Sequence, residues 1–380
     1  MVGWGTVDLK LLLISPEIFP VIGGIQRYAY ELYGNLPGIN VEVVTKPCQT
    51  RSGCYKSIKR FIPYDFPSGQ SVHSLIKWIR FSLWLILHCK KYNYDVIACA
   101  HPSPSGVITF LTSKFLKIPC VIHTYGKDVL EMTSGKGPRG KLEKWVLNRA
   151  DVVAVSEYCR RLLISRGIQP KSLRVVTPGV HLPSGEWVRV KSEQQIRTFT
   201  IISVGRLVKR KRFDLVVSAL QELHFPFKCY IIGDGPEYKA LSEQIHNLEL
   251  DKVVVLTGAI SDSELFNLYR QSHAFVMVPD LLEGKDAEGF GIVYLEANSF
   301  GVPTIGNESG GVPEAIKNNV SGLIVKSSKE ISVALQNLYD DRDLYTELRL
   351  GALKWAKSNS WDNVSKSYAE ELKQSFQTKI

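Results

Sequence analysis

The sequence predicts an α/β protein built of two doubly wound parallel-sheet domains. Short apolar runs alternate with helix-like stretches, the runs are apolar at consecutive positions, and the rhythm breaks once before restarting. Consecutive rather than alternating apolar residues mark strands covered on both faces, as when helices flank a parallel sheet. The 380 residues suffice for two cores at roughly 100–200 residues per domain. Hydrophobic content of 44% and charged content of 22% are those of an ordinary globular chain, which excludes fibrous and disordered classes.

Taken in order, "VDLKLLLIS" reads as a strand, Gln26 to Leu36 as a helix, "VEVVT" as a strand, and Ser71 to Lys91 as a long helix. The strand "DVIACA", the helix Val107 to Phe115, the strand "CVIHTY", the helix Lys141 to Asn148, and the strands "DVVAVS" and "LRVVTPGV" complete a domain over residues 1–180. The polar, aperiodic segment that follows places a linker at 181–198. A second domain, 199–360, restarts with "FTIISVG", the helix Phe213 to Leu223, "FKCYIIGDG", the helix Glu237 to Leu248, "KVVVLTG", the helix Asp262 to Gln271 and "AFVMV". Asp343 to Phe376 is helical in composition and breaks at Trp361, so residues 361–380 are expected to pack back onto the first domain.

The chemistry concentrates in "EGKDAEGFGIVYLE", Glu283 to Glu296. Ile292 to Phe300 has helical spacing and stops before "GVP", where Gly301 suits the position after the helix and Pro303 prevents continuation. Gly289 and Gly291 then flank Phe290 at the first turn, where free backbone N–H groups and the helix dipole attract phosphate. Glu288 falls just before the helix and Glu296 inside it, roughly 12 Å along if every step is helical. That separation suits an extended ligand with hydroxyls at both ends, the shape of a nucleotide sugar. The plainer reading is a helix-capping acid and a solvated one.

Cations for a diphosphate come from "VGRLVKRKRFD", between a strand and a helix: Arg206, Lys209, Arg210, Lys211 and Arg212. Arg206 and Lys211, five apart across the turn, both reach the mouth of the sheet, where open α/β domains bind ligands. Gly23 and Gly24 follow the first strand and admit close approach of a ligand or simply make a turn. "IIGDGPE" carries Gly235 but has Tyr238 where a dinucleotide fingerprint needs its third glycine, so it reads as a turn lining the same mouth.

Together these motifs resemble the retaining glycosyltransferases of family 4, with the GT-B fold of two Rossmann-like domains facing across a cleft. "GGIQR", "VGRLVKRKRFD", "IIGDGPE", "EGFGIVYLEANSFGVPTIG" and "SGGVPEAI" occur in the family's order, and the E-x7-E element from Glu288 to Glu296 is the specific part. The resemblance implies a nucleotide-sugar donor with its diphosphate on Arg206 and Lys211, its hexose on Glu288 and the backbone at Phe290, Gly291 and Ile292, and its ribose on Glu296. Gly23 and Gly24 would close over the phosphates. It further implies transfer with retention and without a metal, to a lipid-linked or glycan acceptor. "KDAEGFGIVYLEA" looks closest to GDP-mannose-dependent lipid mannosyltransferases, while UDP-glucose and UDP-N-acetylglucosamine enzymes share the element. One departure stands out: the family commonly has His-Gly-x-(Asp/Glu) after a strand, and this chain reads "VIHTYGKDV". Gly126 and Asp128 match, Tyr125 takes the histidine's place, and His123 lies one pleat back on the same side. The expectation is Tyr125 with His123 in support, His123 as a satisfied core histidine being the bland alternative.

A net charge of +10 points to an anionic partner. Nucleic acid is disfavoured, because the densest basic run sits in a strand-to-helix loop without interleaved aromatics. A nucleotide-sugar epimerase of similar fold would lack E-x7-E, and an inactive partner subunit is the reading of another class. The seven cysteines show no metal-ligand spacing, and no secretory leader or spanning segment is evident, so the expected place is the cytoplasm, with peripheral attachment to the inner face of the plasma membrane. For that attachment the helix at Ser71 to Lys91 offers two apolar stripes: Val72, Leu75, Ile76, Ile79, Leu83 and Ile86, expected on the sheet, and Trp78, Phe81 and Leu85, expected outward beside Lys56, Lys59 and Arg60 on anionic lipid.

Overall fold

The protein is described by a computed structural model over residues 9–18, 24–47, 57–67, 72–134, 137–183, 198–280 and 287–376. Gly23, Lys56 and most of the 181–198 segment lie outside the described residues. The chain divides into two compact units, Met1–Gly179 with Trp361–Ile380, and Val180–Ser360.

In unit 1 the strands are β1 (Leu9–Ile14), β2 (Ile39–Thr45), β3 (Ile58–Pro63), β4 (Val96–Cys99), β5 (Cys120–Thr124), β6 (Asp151–Ala154) and β7 (Ser172–Val175). They form one parallel sheet in the order β3-β2-β1-β4-β5-β6-β7. The order reverses between β1 and β4, the topological switch point at which such sheets bind ligands beyond their strand ends. Leu11, Leu12 and Leu13 of β1 and all four residues of β4 are buried, which is why these strands read as unbroken apolar runs. The helices are α1 (Gly24–Gly34), α2 (Val72–Tyr92), α3 (Val107–Leu116), α4 (Lys127–Ser134), α5 (Pro138–Leu147) and α6 (Glu157–Ser165).

Unit 2 carries β8 (Phe199–Val204), β9 (Phe227–Ile232), β10 (Val254–Gly258), β11 (Ala274–Val276), β12 (Thr304–Asn307) and β13 (Gly322–Val325). Their parallel order, β10-β9-β8-β11-β12-β13, puts the switch point between β8 and β11. Its helices are α7 (Phe213–Leu220), α8 (Tyr238–Asn247), α9 (Asp262–Gln271), α10 (Ile292–Ser299), α11 (Val312–Ala315), α12 (Ser328–Asp340) and α13 (Arg342–Ser358). Local chemistry sets several boundaries. Ser261 and Glu264 form a reciprocal capping box at the start of α9. After α10, Gly301 takes the left-handed backbone at φ +69° that a side chain would resist, and Pro303 follows.

The chain returns to unit 1 through α14 (Trp361–Phe376). Tyr368, Leu372 and Phe376 are buried in the unit 1 core, and Ser365 donates a hydrogen bond to the Leu32 carbonyl of α1 at 3.2 Å. Full burial of each such apolar side chain stabilises by about 1.5–3 kcal/mol.

The expectation for α2 is corrected. Phe81 and Leu85, expected outward, are fully buried with Cys89, and Trp78 is half-buried beside them. Ile76, Ile79 and Leu83, expected on the sheet, are exposed, Ile86 is half-buried, and the side chains of Val72 and Leu75 lie outside the described residues. Both faces of α2 are apolar, so helical spacing could not choose between them. Aromatic bulk decides: Phe81 packs edge-on to Tyr64 at 4.8 Å, contacts Phe66 at 5.0 Å and stacks on Trp84 at 5.9 Å. Docking on lipid through Phe81 and Leu85 is therefore ruled out.

Among the described residues, five cysteines are buried free thiols, no helix is long and apolar enough to cross a membrane, and no cluster of three His, Cys, Asp or Glu side chains is placed to hold a metal ion.

Candidate functional site

In unit 2 the singled-out residues gather beyond the carboxyl ends of the strands on both sides of the switch point. β8 runs into Gly205 and Arg206, and a turn of 3-10 helix, Lys209–Lys211, leads to α7. Lys211 Nζ donates to Glu288 Oε2 at 2.6 Å, and Arg210 Nη1 donates to the same oxygen at 2.9 Å. All three side chains are nearly enclosed, 12–14% exposed. Burial pushes the Glu288 carboxyl up, but the adjoining Lys211 and Arg210 charges outweigh it and bring it down to about 2. The carboxylate is thus held ionised. Lys211 Nζ also sits 3.5 Å from Met277 Sδ, just past β11, which fixes the cluster at the switch point.

Arg206 and Lys211, expected to share a donor diphosphate, stand in different surroundings. Arg206 is exposed, and Arg210, which the sequence offered only as one of a run, takes the Glu288 carboxylate with Lys211. A run of four consecutive basic residues carries no sign of which turns inward; the 3-10 turn decides that.

The glycines have separate reasons. A Cβ at Gly235 would stand 2.3 Å from the Leu207 carbonyl oxygen, because the turns after β8 and β9 lie against each other, Leu207 N donating to Asp234 O at 2.9 Å. Gly291 begins α10 with φ +95°, and a Cβ there would meet the Tyr294 ring at 2.7 Å. Gly310 and Gly311, from "SGGVPEAI", come so close to the backbone of Glu288 and Gly289 that Cβ atoms would lie 2.3 and 2.2 Å from their carbonyl oxygens. Gly311 N donates to Glu288 O at 2.8 Å, so this loop clamps the segment holding the carboxylate. Phe290 is buried beneath, Gly289 and Ile292 are half-buried, and Tyr294 donates to the Met277 carbonyl at 2.6 Å. Glu296 lies on α10, 9% exposed, and accepts from the Tyr269 hydroxyl at 3.4 Å. Two polar atoms that sequence reasoning passed over, Ser309 Oγ and Asn307 Oδ1, are buried here without a hydrogen-bond partner.

Unit 1 ends its strands differently. Tyr125 follows β5 and is buried, its ring 5.7 Å from Tyr28 and 6.1 Å from His101, which follows β4. Its hydroxyl is buried and has no partner. Asp128 Oδ1 accepts from the backbone N–H of Tyr125 and of Val129, both at 2.9 Å, and so fixes the turn that carries Tyr125. Burial outweighs these bonds and raises its carboxyl to about 6. His123, one pleat back, is 1% exposed and shares a 2.7 Å hydrogen bond with the Tyr33 hydroxyl, itself 3.4 Å from the Tyr368 hydroxyl of α14. Burial, with a smaller push from His101, lowers the His123 imidazole to about 3, so it is neutral. It belongs to the core and touches the Tyr28 ring that also carries Tyr125. His101 is the residue no motif announced; burial lowers it too, against the pull of Glu17 near the unit 1 switch point. Gly24 opens α1 in an exposed position, where a Cβ would meet nothing within 4 Å.

Comparison with known proteins places both units. Residues 22–183 match the family described as Glycosyltransferase Family 4, and residues 188–355 that described as Glycosyl transferases group 1. The chain is 30% identical over 383 residues to a GDP-mannose-dependent alpha-(1-6)-phosphatidylinositol monomannoside mannosyltransferase of Mycobacterium tuberculosis, with 96% of this chain and 98% of the relative covered. It is 26% identical to a D-inositol 3-phosphate glycosyltransferase of Corynebacterium aurimucosum, covering 93% of each. Among solved structures, Anabaena Alr3699/HepE in complex with UDP and glucose aligns at a TM-score of 0.75 and 18% identity over 96% of this chain and all of that one, a likeness of fold.

Proposed function

The chain belongs to glycosyltransferase family 4 and is a glycosyltransferase that uses a nucleotide sugar; from that premise we propose that it moves mannose from GDP-mannose to a lipid-linked or glycan acceptor, with retention and without a metal. The observation that carries the reading is the Glu288 carboxylate, held ionised by Arg210 and Lys211 at the switch point of unit 2. An ionised carboxylate accepts hydrogen bonds from sugar hydroxyls, and the cations beside it suit a diphosphate.

In this reading Lys211 and the exposed Arg206 take the donor diphosphate, and Arg210 keeps Glu288 aimed at the hexose. Backbone N–H groups at Phe290, Gly291 and Ile292 approach the same sugar, Gly235 leaves the mouth of the sheet open, and Glu296 takes the ribose hydroxyls in place of Tyr269. Tyr125 offers its unpartnered hydroxyl to the donor sugar, with Asp128 fixing its turn and His123 its footing; Gly23 and Gly24 close over the phosphates. As the glycosidic bond to the diphosphate breaks, negative charge grows on the leaving oxygens. Arg206 and Lys211 stabilise it there, and a leaving oxygen takes the acceptor proton on the same face. The acceptor and donor are oriented by binding, which removes much of the entropic barrier. The relative from Mycobacterium tuberculosis supports GDP-mannose as donor and a phosphoinositide as acceptor.

The test is turnover. The purified chain is incubated with GDP-mannose, UDP-glucose or UDP-N-acetylglucosamine and a phosphatidylinositol mannoside, with and without EDTA, and the product anomer is read by NMR. GDP-mannose consumption indifferent to EDTA, giving an α-linked product, is expected. Consumption of a UDP-sugar alone would move the reading to a glucosyl- or N-acetylglucosaminyltransferase, and no turnover of any donor would leave an inactive binding subunit.

A further inference from the structure

The amino ends of β5, β6 and β7, opposite the strand ends that carry Tyr125 and His101, hold a cavity of about 280 Å³. Phe110 and Cys120, both buried, belong to its neutral floor. Lys114, Lys117, Arg149 and Lys171 line it as well, all exposed, with Asp151 as the one acid. Four cations against one carboxylate leave a net of three positive charges around a small space. None of the four makes an ion pair among the described residues, so the excess is not neutralised by the fold.

The cations arrive from three separate parts of the chain. Lys114 and Lys117 stand at the carboxyl end of α3 and Arg149 just past that of α5, where the helix dipole favours a cation. That reason does not reach Lys171, which stands immediately before β7 and well past the end of α6. Topology brings it to the same cavity, because β5, β6 and β7 are neighbours in the sheet. Two of the four heads are also held in place. Lys114 Nζ lies 5.1 Å over the Phe110 ring and the Arg149 guanidinium 4.7 Å over the Trp145 ring, while Phe110 and Trp145 meet edge to face at 5.9 Å. Part of the side-chain entropy that holding a ligand would cost is already lost.

We propose that this cavity is a second anion site, which takes a small soluble phosphate compound, a free diphosphate or a phosphorylated monosaccharide, on Lys114, Lys117, Arg149 and Lys171. Like charges gathered in a concave wall raise the local potential and draw multiply charged anions. The arginine fork and the lysine ammonium groups then form charge-assisted hydrogen bonds with phosphate oxygens. The volume, just under the roughly 300–1,000 Å³ of sites for drug-sized ligands, limits the occupant to something smaller than a nucleotide sugar. The site lies wholly in unit 1, away from the Glu288 cluster of unit 2, so it stands or falls apart from the donor reading.

The test is calorimetric titration of pyrophosphate, glucose 6-phosphate and sulfate into the full chain at low salt, for wild type, for Lys117→Gln with Lys171→Gln, and for Lys211→Ala. Sulfate, a plain dianion, reports attraction by net charge alone. Wild type is expected to bind pyrophosphate or glucose 6-phosphate at least about tenfold more tightly than sulfate, and the tighter of the two tells a free diphosphate from a sugar ester. The double variant is expected to lose one binding equivalent per chain while its thermal midpoint holds, since both side chains are exposed. Lys211→Ala is expected to keep that equivalent. Three results would overturn the proposal: no binding of either phosphate compound, affinity for both no better than for sulfate, or every binding equivalent retained in the double variant.

Discussion

Unit 2 ends its strands in charge, with Glu288, Arg210 and Lys211 locked together behind half-buried glycines, whereas unit 1 ends its strands in neutral aromatic and imidazole groups. Both lie buried at the carboxyl ends of a parallel sheet, yet one is stabilised by opposite charges and the other packs uncharged rings around a single carboxyl, Asp128, held by backbone N–H groups. The first arrangement suits a charged diphosphate. The second suits an uncharged polar group, which the buried, unpartnered Tyr125 hydroxyl meets without attracting a counterion.

The strongest way to break that contrast is Glu288→Ala. It leaves Arg210 and Lys211 buried side by side without their carboxylate, which is expected to destabilise unit 2 by about 3–5 kcal/mol. Denaturant unfolding measures it, and donor turnover is expected to fall by at least about a hundredfold. Retained stability would mean that the pair is not a structural element.

Acid titration sharpens the contrast. Glu288, depressed to about 2, contributes stability that is present above its ordinary value of 4.5 and is lost as pH falls from there toward 2. In unit 1 two groups oppose each other. His123, lowered from 6.5 to about 3, costs stability as pH falls below 6.5, because the unfolded chain takes the proton first. Asp128, raised from 3.8 to about 6, contributes stability that is full below 3.8 and lost as pH rises through 6. Between these limits the two nearly cancel. Asp128→Asn keeps the Oδ1 acceptor for Tyr125 and Val129 but removes the titration, so unit 1 of that variant is expected to lose about 2–3 kcal/mol between pH 6.5 and 4. Hydrogen exchange of the β5 amides reads this out, and unit 2 amides are expected to hold until pH 4.5.

Tyr125→Phe removes a buried hydroxyl that has no partner, so the thermal midpoint is expected to stay within about 1 °C or rise. Turnover is nonetheless expected to fall by about 10- to 100-fold if that hydroxyl meets the donor. The smallest stability effect belongs to Arg206→Ala, within about 0.5 kcal/mol for an exposed side chain.

Much of this was legible in the chain because parallel strands leave unbroken apolar runs and the glycines at 289 and 291 announce a tight approach to a helix start. The spacing of "VGRLVKRKRFD" after β8 located the cations, but which of them turns inward depends on a single 3-10 turn that periodicity does not encode. β3, "IKRFIP", lies at the sheet edge with two exposed charges, so it lacked the apolar signal of its neighbours. His101 and Ser309 belong to no motif; only the topology brings His101 beside Tyr125, and Ser309 into the loop that clamps Glu288. The two-faced α2 was misread because hydropathy weighs Ile79 and Phe81 alike, while packing against Tyr64 and Phe66 does not.

The central proposal, that the charged strand ends of unit 2 hold a donor diphosphate, is tested most directly by calorimetric titration of GDP into wild type, Arg206→Ala, Lys211→Ala and Tyr125→Phe. GDP has no hexose, so the account predicts binding to wild type and to Tyr125→Phe with equal affinity, weakened about 10- to 100-fold by either loss of a cation. Undiminished affinity in both cation variants, or a loss confined to Tyr125→Phe, would contradict it.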